Sequence, residues 1–233
     1  MALLFKSQGL ENKDVFTVSA FAVFKFDGKA PRLQDEEVLW EVAQANLDQD
    51  EVLDFGVPKP RGEFFVYGSC YSPKPVTGLG VHVSVGDISK TLVVMGDRYW
   101  TKLGISETTP FTSKAISYKN AFGGIGYANN PIGKGYTENE QGRKELPNLE
   151  DPKNPITQKS DKPDPVSFTA YSLMNPKRMQ YMGKVDENYI KDSWPNLPKT
   201  TNPEYFNSAP ADQRSNGFFN GDENFSIKSM HKE

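Results

Sequence analysis

The sequence has few of the side chains on which most catalytic and metal sites depend. Its 233 residues include one cysteine, Cys70, and two histidines, His82 and His231. One cysteine excludes an internal disulfide, and three such widely separated residues have no metal-ligand spacing. Cys70 lies among aromatic residues, where a small buried side chain is more common than a nucleophile. We therefore expect no cofactor, no metal ion and no catalytic residue.

Two further absences exclude classes of partner. The 27 Lys and Arg residues and 30 Asp and Glu residues are interspersed, whereas nucleic-acid-binding proteins usually carry a basic stripe or patch. No apolar run approaches the roughly 18 residues that predict a membrane-spanning helix. The apolar start at residues 1–6 is too short for a signal peptide. We expect a cytoplasmic protein that binds no nucleic acid and does not insert into a membrane.

The shortage of apolar residues indicates a compact core with many loops. Only 36% of the residues are hydrophobic, while there are 19 Gly and 17 Pro. The aromatic residues partly compensate, because each of the 15 Phe, 10 Tyr and 3 Trp side chains can bury a large area. The length allows one large domain, and no clean linker divides the chain, so we predict a single domain over residues 1–233.

Strand patterns are concentrated in the first hundred residues. Apolar residues occupy alternate positions between Val15 and Phe26, which predicts a strand with one apolar face. A second strand is predicted from Phe64 to Tyr71, ended by Ser72-Pro73. The strongest pattern is the alternation of valines in 81–85, followed by Gly86-Asp87 and the apolar run 88–95. Strands joined by such short turns predict an antiparallel meander.

The remainder of the chain has no strand periodicity. It is rich in Gly, Pro and Asn between Phe122 and Pro165, and a short helix is predicted only around Pro210–Arg214. The stretch Val38–Val52 is compatible with a short helix, but it has no clear cap. We predict a mainly β fold, an antiparallel β-sandwich or open barrel, with long ordered Gly/Pro/aromatic loops in the C-terminal half. Residues 1–105 are expected to be rich in strands and 106–233 rich in loops.

Two glycine clusters resemble phosphate-binding loops only superficially. Residues 123–126 and 133–135 contain the glycines, but no Ser or Thr follows Lys134, and Asn129 stands where a dinucleotide-binding loop requires its third glycine. The conformational freedom of glycine in tight turns explains the clusters better.

Two acidic residues keep one enzymatic hypothesis open. Asp97 and Glu223 lie in Gly-containing pieces, and a β-sandwich hydrolase of carbohydrate or cell wall would need two carboxyls in a cleft. The alternative is that both residues belong to hydrogen-bonded turns, with Asp97 or Arg98 paired to a buried partner.

A series of short blocks, in a fixed order, carries a family resemblance. The blocks are Lys90–Trp100, Pro110-Phe111, Tyr118–Gly124, Asn130–Tyr136, Leu146–Glu150, Tyr205–Gln213 and Gly221–Glu223. Together they resemble a domain-of-unknown-function family found in type VI secretion clusters, alone or fused to pentapeptide repeats. Its motif residues map here to Gly96, Asp97, Arg98, Trp100, Asn120, Phe122, Gly123, Gly124, Asn130, Pro131, Gly133, Leu146, Pro147, Asn148, Glu150, Ala209, Pro210, Asp212, Gln213, Gly221, Asp222 and Glu223.

The chain departs from the family pattern in two blocks. The usual Trp-x-Pro-Arg and Gly-Thr-Tyr-Asp are replaced by Met174–Lys177 and Gly183–Asp186, so the aromatic positions are lost. The family's domain also tends to continue past the Gly-Asp-Glu block, so a chain that ends at Glu233 is expected to be a short or truncated member.

The resemblance implies an adaptor, or chaperone, that holds a toxin effector and helps to load it onto the VgrG or PAAR spike protein. No catalytic residues come with the family. The expected contact surface is either the Gly-rich loops of residues 120–136 or the aromatic C-terminal loops. For the glycines themselves, a role in packing the domain's own loops is favoured. A structural or immunity protein that binds a single partner remains a third hypothesis.

Overall fold

A computed structural model of the chain describes residues 2–8, 14–20, 24–25, 32–35, 37–38, 41, 59–172 and 174–230. The chain divides into two compact units, each built from segments that are separate in sequence. The first unit comprises residues 1–60 and 172–208, and the second comprises 61–171 and 209–233. The sequence predicts a single domain, and this division into two compact units does not test that prediction.

The first unit begins with two antiparallel strand pairs. Strand β1 (Ala2–Gln8) pairs with β2 (Asp14–Ala20), and β3 (Phe24–Lys25) pairs with β4 (Arg32–Leu33). The strand predicted from Val15 to Phe26 is therefore confirmed over β2 and β3. Its remaining positions lie outside the described residues, as does almost all of the ambiguous stretch 38–52.

Short capped helices lie in the second segment of the first unit, residues 172–208. Helix α1 (Pro176–Met179) begins where the Asn175 side chain accepts from the backbone N–H of Lys177, and α2 (Glu187–Asp192) begins where Asp186 accepts from Tyr189. A 3-10 helix follows at Pro203–Phe206. Asparagine and aspartate are preferred at the residue that precedes a helix, because their side chains accept from backbone N–H groups that would otherwise be unpaired. The two divergent family blocks thus supply helix caps.

The second unit is built on a four-stranded antiparallel sheet. Its central hairpin joins β6 (Gly78–Val85) to β7 (Ile88–Met95), and the turn is made by Gly86, whose φ of +58° favours glycine, and Asp87. Strand β13 (Leu149–Glu150) pairs with β7, and β14 (Phe225–Lys228) pairs with β6. The meander predicted at residues 81–95 is confirmed.

A separate pair of strands corrects one predicted boundary. Strand β5 (Gly68–Val76) pairs with β10 (Phe111–Ile116), so the predicted strand starts later than Phe64 and does not end at Ser72-Pro73. Its register shifts between Phe111 and Ser113. Residues 72–75 of β5 therefore lie at the irregularity, where proline need not donate a ladder hydrogen bond.

The core of the second unit lies against β6 and β7. Val81, Val83, Leu92 and Val94 are buried and pack with Cys70 and Phe168, whereas His82 points away from the valines and hydrogen-bonds Thr91 Oγ1 at 2.9 Å. Burial raises the pKa of the Cys70 thiol, which disfavours the reactive thiolate. A second cluster is formed by Phe122, Leu146, Ile156 and aromatic neighbours.

The second unit also contains several short elements outside the four-stranded sheet and the β5–β10 pair. They are the hairpin of β8 (Trp100–Thr101) and β9 (Gly104–Ile105), the parallel pair of β11 (Phe122–Gly123) and β12 (Lys134–Gly135), and 3-10 turns at Tyr118–Asn120 and Ala211–Gln213. The helix expected near Pro210 is thus a single 3-10 turn. The mainly β, antiparallel fold with ordered C-terminal loops is confirmed. Within the described ranges, no helix has the length and apolar character that crossing a membrane requires.

Candidate functional site

The first family block leaves the sheet at the end of β7 through a close backbone contact. The Gly96 N–H donates to Thr77 O at 3.0 Å, and a Cβ on this residue would lie 1.8 Å from Thr109 O. No side chain fits there, since real contacts of this kind are longer than 3 Å. Gly96 therefore fixes the direction in which the following charged residues leave the sheet.

Asp97 is the acceptor at the centre of a polar network. Its Oδ1 accepts from Lys114 Nζ at 2.9 Å and from Asn148 Nδ2 at 2.9 Å, and Lys134 Nζ lies 3.8 Å away. Partial burial pushes the pKa of Asp97 upward, but these hydrogen bonds and positive charges outweigh it and hold the pKa below its usual value. Asp97 is therefore an ionised anchor at neutral pH.

Arg98, the next residue, forms a buried ion pair with Glu150. Both side chains are only 7% exposed, and the other Glu150 oxygen accepts from the Ile156 N–H at 3.3 Å. Among the described residues, Arg98 Nε has no hydrogen-bond partner. The pair joins two family blocks that are 52 residues apart in sequence, which identifies it as a determinant of this part of the fold.

A cleft of about 290 Å³ opens beside these residues, and we refer to it as the charged cleft. Its charged lining consists of Asp97, Arg98, Lys134, Arg143 and Glu145. Its uncharged lining consists of Tyr99, Thr109, Asn139 and Gln141. Burial lowers the pKa of Lys134, although Asp97 and Glu145 partly oppose the shift. The cleft therefore offers donors and acceptors of both signs.

The buried amide of Asn130 bridges two segments of the Gly-rich loops of residues 120–136. Asn130 Nδ2 donates to Tyr118 O at 2.8 Å and to Phe122 O at 3.0 Å. Cβ atoms on Gly123 and Gly133 would come within 2.1 and 2.3 Å of atoms of Asn130. These two motif glycines thus make room for the backbone and the amide of Asn130. Gly124 and Pro131 belong to the same turn system, which Gly124 closes by donating to Asn130 O at 2.9 Å.

The Leu146–Glu150 block connects the loops to the sheet. Leu146 is buried in the second cluster, and Asn148 Nδ2 also donates to Met95 O at 2.9 Å. The Asn148 N–H donates to Asn120 O at 2.8 Å, while Pro147 O accepts a long 3.5 Å contact from Arg98. These residues bring the end of β7, the Gly-rich loops and the charged cleft together.

The Ala209–Gln213 block lies elsewhere, against β7. Gln213 is fully buried, donates to Phe64 O and Phe168 O, and accepts from Lys90 Nζ at 2.7 Å. Asp212 pairs with the same lysine at 3.0 Å. Burial lowers the pKa of Lys90, although Asp212 opposes the shift. Ala209 and Pro210 are buried at the start of this turn.

Glu223 closes a local turn and does not line the charged cleft. Its carboxylate accepts from the N–H groups of Asn220 at 2.8 Å and Gly221 at 3.0 Å, and these bonds lower its pKa. Asp222 belongs to the same turn through Asn220. The cleft therefore does not bring together Asp97 and Glu223, the two carboxyls that the hydrolase hypothesis requires. Instead, Asp97 pairs with a lysine and Glu223 accepts hydrogen bonds within a turn, as the non-enzymatic interpretation expects.

Sequence reasoning missed most of the residues that complete the charged cleft. Asn139, Gln141, Arg143 and Glu145 line the cleft but are not among the motif residues, and no local pattern marks them. The sequence shows only the family blocks on either side of them, which occur in a fixed order along the chain. Over the ranges that the structure covers, His, Cys, Asp and Glu side chains form no group of three suited to a metal ion.

Comparison with known proteins gives a family but no function. Neither the curated proteins nor the solved structures include a match to this chain. A family model described as an uncharacterized protein conserved in bacteria, DUF2169, matches residues 11–233. That range contains the charged cleft and every block described above. The chain therefore belongs to the DUF2169 family of bacterial proteins.

Proposed function

We propose that this protein is an adaptor that binds a type VI secretion toxin effector and helps to load it onto the VgrG or PAAR spike protein. It would act in the bacterial cytoplasm, before secretion. The proposal begins from the resemblance of the ordered blocks to proteins of type VI clusters. Membership in DUF2169 is compatible with it and leaves the activity open.

One structural observation supports a role in protein binding. Large apolar side chains are exposed on loops that are themselves tightly hydrogen-bonded: Leu103 is fully exposed at the tip of the β8–β9 hairpin, and Ile125 and Ile132 are 82% and 54% exposed on the Gly-rich loops. Burial of apolar side chains favours association, and a rigid support lowers the entropic cost of binding. This placement agrees with the contact expected at residues 120–136.

The first unit carries a second exposed apolar segment. Val185, Ile190 and Trp194 lie within ten residues of one another, and Trp194 is 70% exposed. Tryptophan is among the most enriched residues at interface hot spots. This segment, which includes helix α2, lies in the C-terminal region that the sequence offers as the alternative contact.

Deletion of the gene tests the proposal. We expect the amount of the neighbouring effector and its association with the spike to fall, and wild-type protein to restore both. Ile125→Asp combined with Ile132→Asp should fail to restore them, because two charges would replace the apolar contact. Lys153→Asp changes an exposed charge and should restore them fully. Unchanged effector amount and spike association in the deletion strain would refute the adaptor.

The other hypotheses predict different results in the same strains. A single-partner immunity protein would protect cells from the toxin without affecting its association with the spike. A hydrolase would release product from carbohydrate or cell-wall material, and that release would be lost in Asp97→Asn. Both hypotheses stay predictions until those measurements are made.

A further inference from the structure

Arg143 is a cation of the charged cleft that has no carboxylate partner among the described residues. Arg98 is paired with Glu150, and Lys134 lies 3.8 Å from Asp97 and 4.0 Å from Glu145. No ion pair involves Arg143 in the described part of the chain. Its guanidinium instead lies over the ring of Tyr99, 5.0 Å from the centroid. A guanidinium stacked on an aromatic ring retains N–H groups in its own plane that can bind a carboxylate through two bonds.

The turn that carries Arg143 is held in place before any ligand binds. Asn139 Oδ1 accepts from the N–H groups of Gln141 at 3.0 Å and Arg143 at 2.9 Å, and the Asn139 N–H donates to Arg143 O at 2.8 Å. The Trp100 N–H donates to Lys144 O at 2.9 Å, which ties this turn to the β8–β9 hairpin. Such preorganisation lowers the entropic cost of binding.

The charge balance of the cleft favours a single negative charge. The buried Arg98–Glu150 pair is neutral as a unit. Lys114 does not line the cleft but pairs with Asp97 at 2.9 Å. Counted with this partner, Lys134 and Arg143 oppose Asp97 and Glu145, a balance of 3 − 2 = +1. A phosphate dianion would approach two fixed carboxylates and be repelled. The volume of about 290 Å³ lies at the lower end of small-molecule sites, roughly 300–1,000 Å³, and suits a side chain.

The neighbouring hairpin indicates that this side chain belongs to a protein. Leu103 and Ile105 are exposed on the β8–β9 hairpin, and Tyr99, the residue just before it, is also exposed and lines the cleft. A small molecule in the cleft would leave these apolar side chains in water, whereas an extended chain would cover them. We propose that the cleft binds the side-chain carboxylate of an acidic residue in an extended segment of a partner protein, with Arg143 donating to the carboxylate.

Defined peptides test this inference on the full chain. The probe is the peptide acetyl-Gly-Leu-Glu-Leu-Gly-amide, and the matched peptides carry Gln or Lys in place of Glu. In a two-dimensional NMR titration we expect the Glu peptide to shift the backbone amides of Tyr99 and of residues 139–145. The Gln peptide should bind about tenfold more weakly, because charge-assisted hydrogen bonds are lost. Equal binding of the Glu and Gln peptides, or no shift with the Glu peptide, would overturn the proposal.

Exposed arginine and lysine positions supply matched variants. Arg143→Gln should lose about tenfold in affinity for the Glu peptide, and Arg143→Lys should fall between it and the wild type, since lysine keeps the charge without the planar fork. Lys102→Gln removes an equal charge from the hairpin tip and should bind as the wild type does. Equal losses in Lys102→Gln and Arg143→Gln would reveal general charge attraction and refute the site. Stronger binding of inorganic phosphate than of the Glu peptide would also refute it.

The inference depends on the adaptor function only for the identity of the partner. If the cleft binds the Glu peptide but the effector is loaded normally without this protein, the site stands and the adaptor fails. If deletion prevents loading while Arg143→Gln restores it fully and no peptide binds, the adaptor stands and the site fails.

Discussion

The β6–β7 hairpin and the Gly-rich loops both contribute buried side chains to the core of the second unit, but they are held together differently. In the hairpin, eight opposed residue pairs run from Gly78 and Met95 to Val85 and Ile88. In the loops, the short β11–β12 pair is supplemented by separate backbone hydrogen bonds at turns and by the Asn130 side chain, which bridges two carbonyls. A ladder distributes its stability over repeated contacts, whereas the loops depend on individual polar groups. Single substitutions should therefore have sharper effects in the loops and at their junction with the sheet.

Breaking the buried ion pair at that junction should have the largest effect. Glu150→Gln leaves the Arg98 guanidinium buried without a counter-charge. Removal of one partner from a buried pair typically costs about 3–5 kcal/mol. We expect a loss of this size in the free energy of unfolding, measured by urea denaturation followed by circular dichroism.

The double variant Arg98→Met with Glu150→Leu is the control for this substitution. It removes both charges, so it should be closer to the wild type than Glu150→Gln is, because apolar replacement of a whole pair is often tolerated. A double variant less stable than Glu150→Gln would mean that shape, not charge, dominates at this position.

Glycine substitutions compare the two regions directly. Gly133→Ala places a Cβ 2.6 Å from Ala121 O and 2.3 Å from Asn130 Nδ2, whereas Gly80→Ala in β6 meets no atom within 4 Å. Overpacking of this kind costs about 1–3 kcal/mol. Gly80→Ala should be neutral or stabilising by up to about 1 kcal/mol. Thermal unfolding of the two variants measures the difference, and similar melting temperatures would contradict the account of the loops.

The same contrast explains what could be predicted from the sequence. The hairpin was predictable because Val81, Val83 and Val85 repeat with the strand period and Gly86-Asp87 marks the turn. The roles of Asn130 and of the Arg98–Glu150 pair were not, because each depends on one contact between residues distant in sequence. The order of the blocks located the region of the cleft, but Arg143 has no pattern that would reveal it. The strand end predicted at Ser72-Pro73 was wrong because the prolines of β5 lie at a register shift, which sequence patterns do not show.

Lys90 gives a pH-dependent test of the turn that packs on β7. Lys90→Met leaves Gln213 Oε1 without its donor and should cost about 1–3 kcal/mol at neutral pH. Burial lowers the pKa of Lys90 in the folded protein, so between that pKa and the unfolded value near 10.4 the unfolded chain binds more protons. The stability of the wild type should therefore rise relative to Lys90→Met as the pH increases through this window. Urea titrations at several alkaline pH values measure the difference, and a constant difference would show that Lys90 is not buried as a charged group.

The smallest effect is expected at Asp97, whose ion pair is partly exposed to solvent. Its pKa is lowered in the folded protein, so the stabilisation it contributes should be present above the unfolded value near 3.9 and be lost as the pH falls through the folded pKa. Asp97→Asn should thus differ from the wild type at neutral pH, by about 1 kcal/mol or less for an exposed pair, and converge with it in acid. A double-mutant cycle with Lys114→Met assigns the effect, because the coupling between the two positions should vanish at low pH and weaken in high salt. A coupling that persists in acid would mean that the contact between these residues is not an ion pair. The polar network at the mouth of the charged cleft would then be set by packing instead of charge.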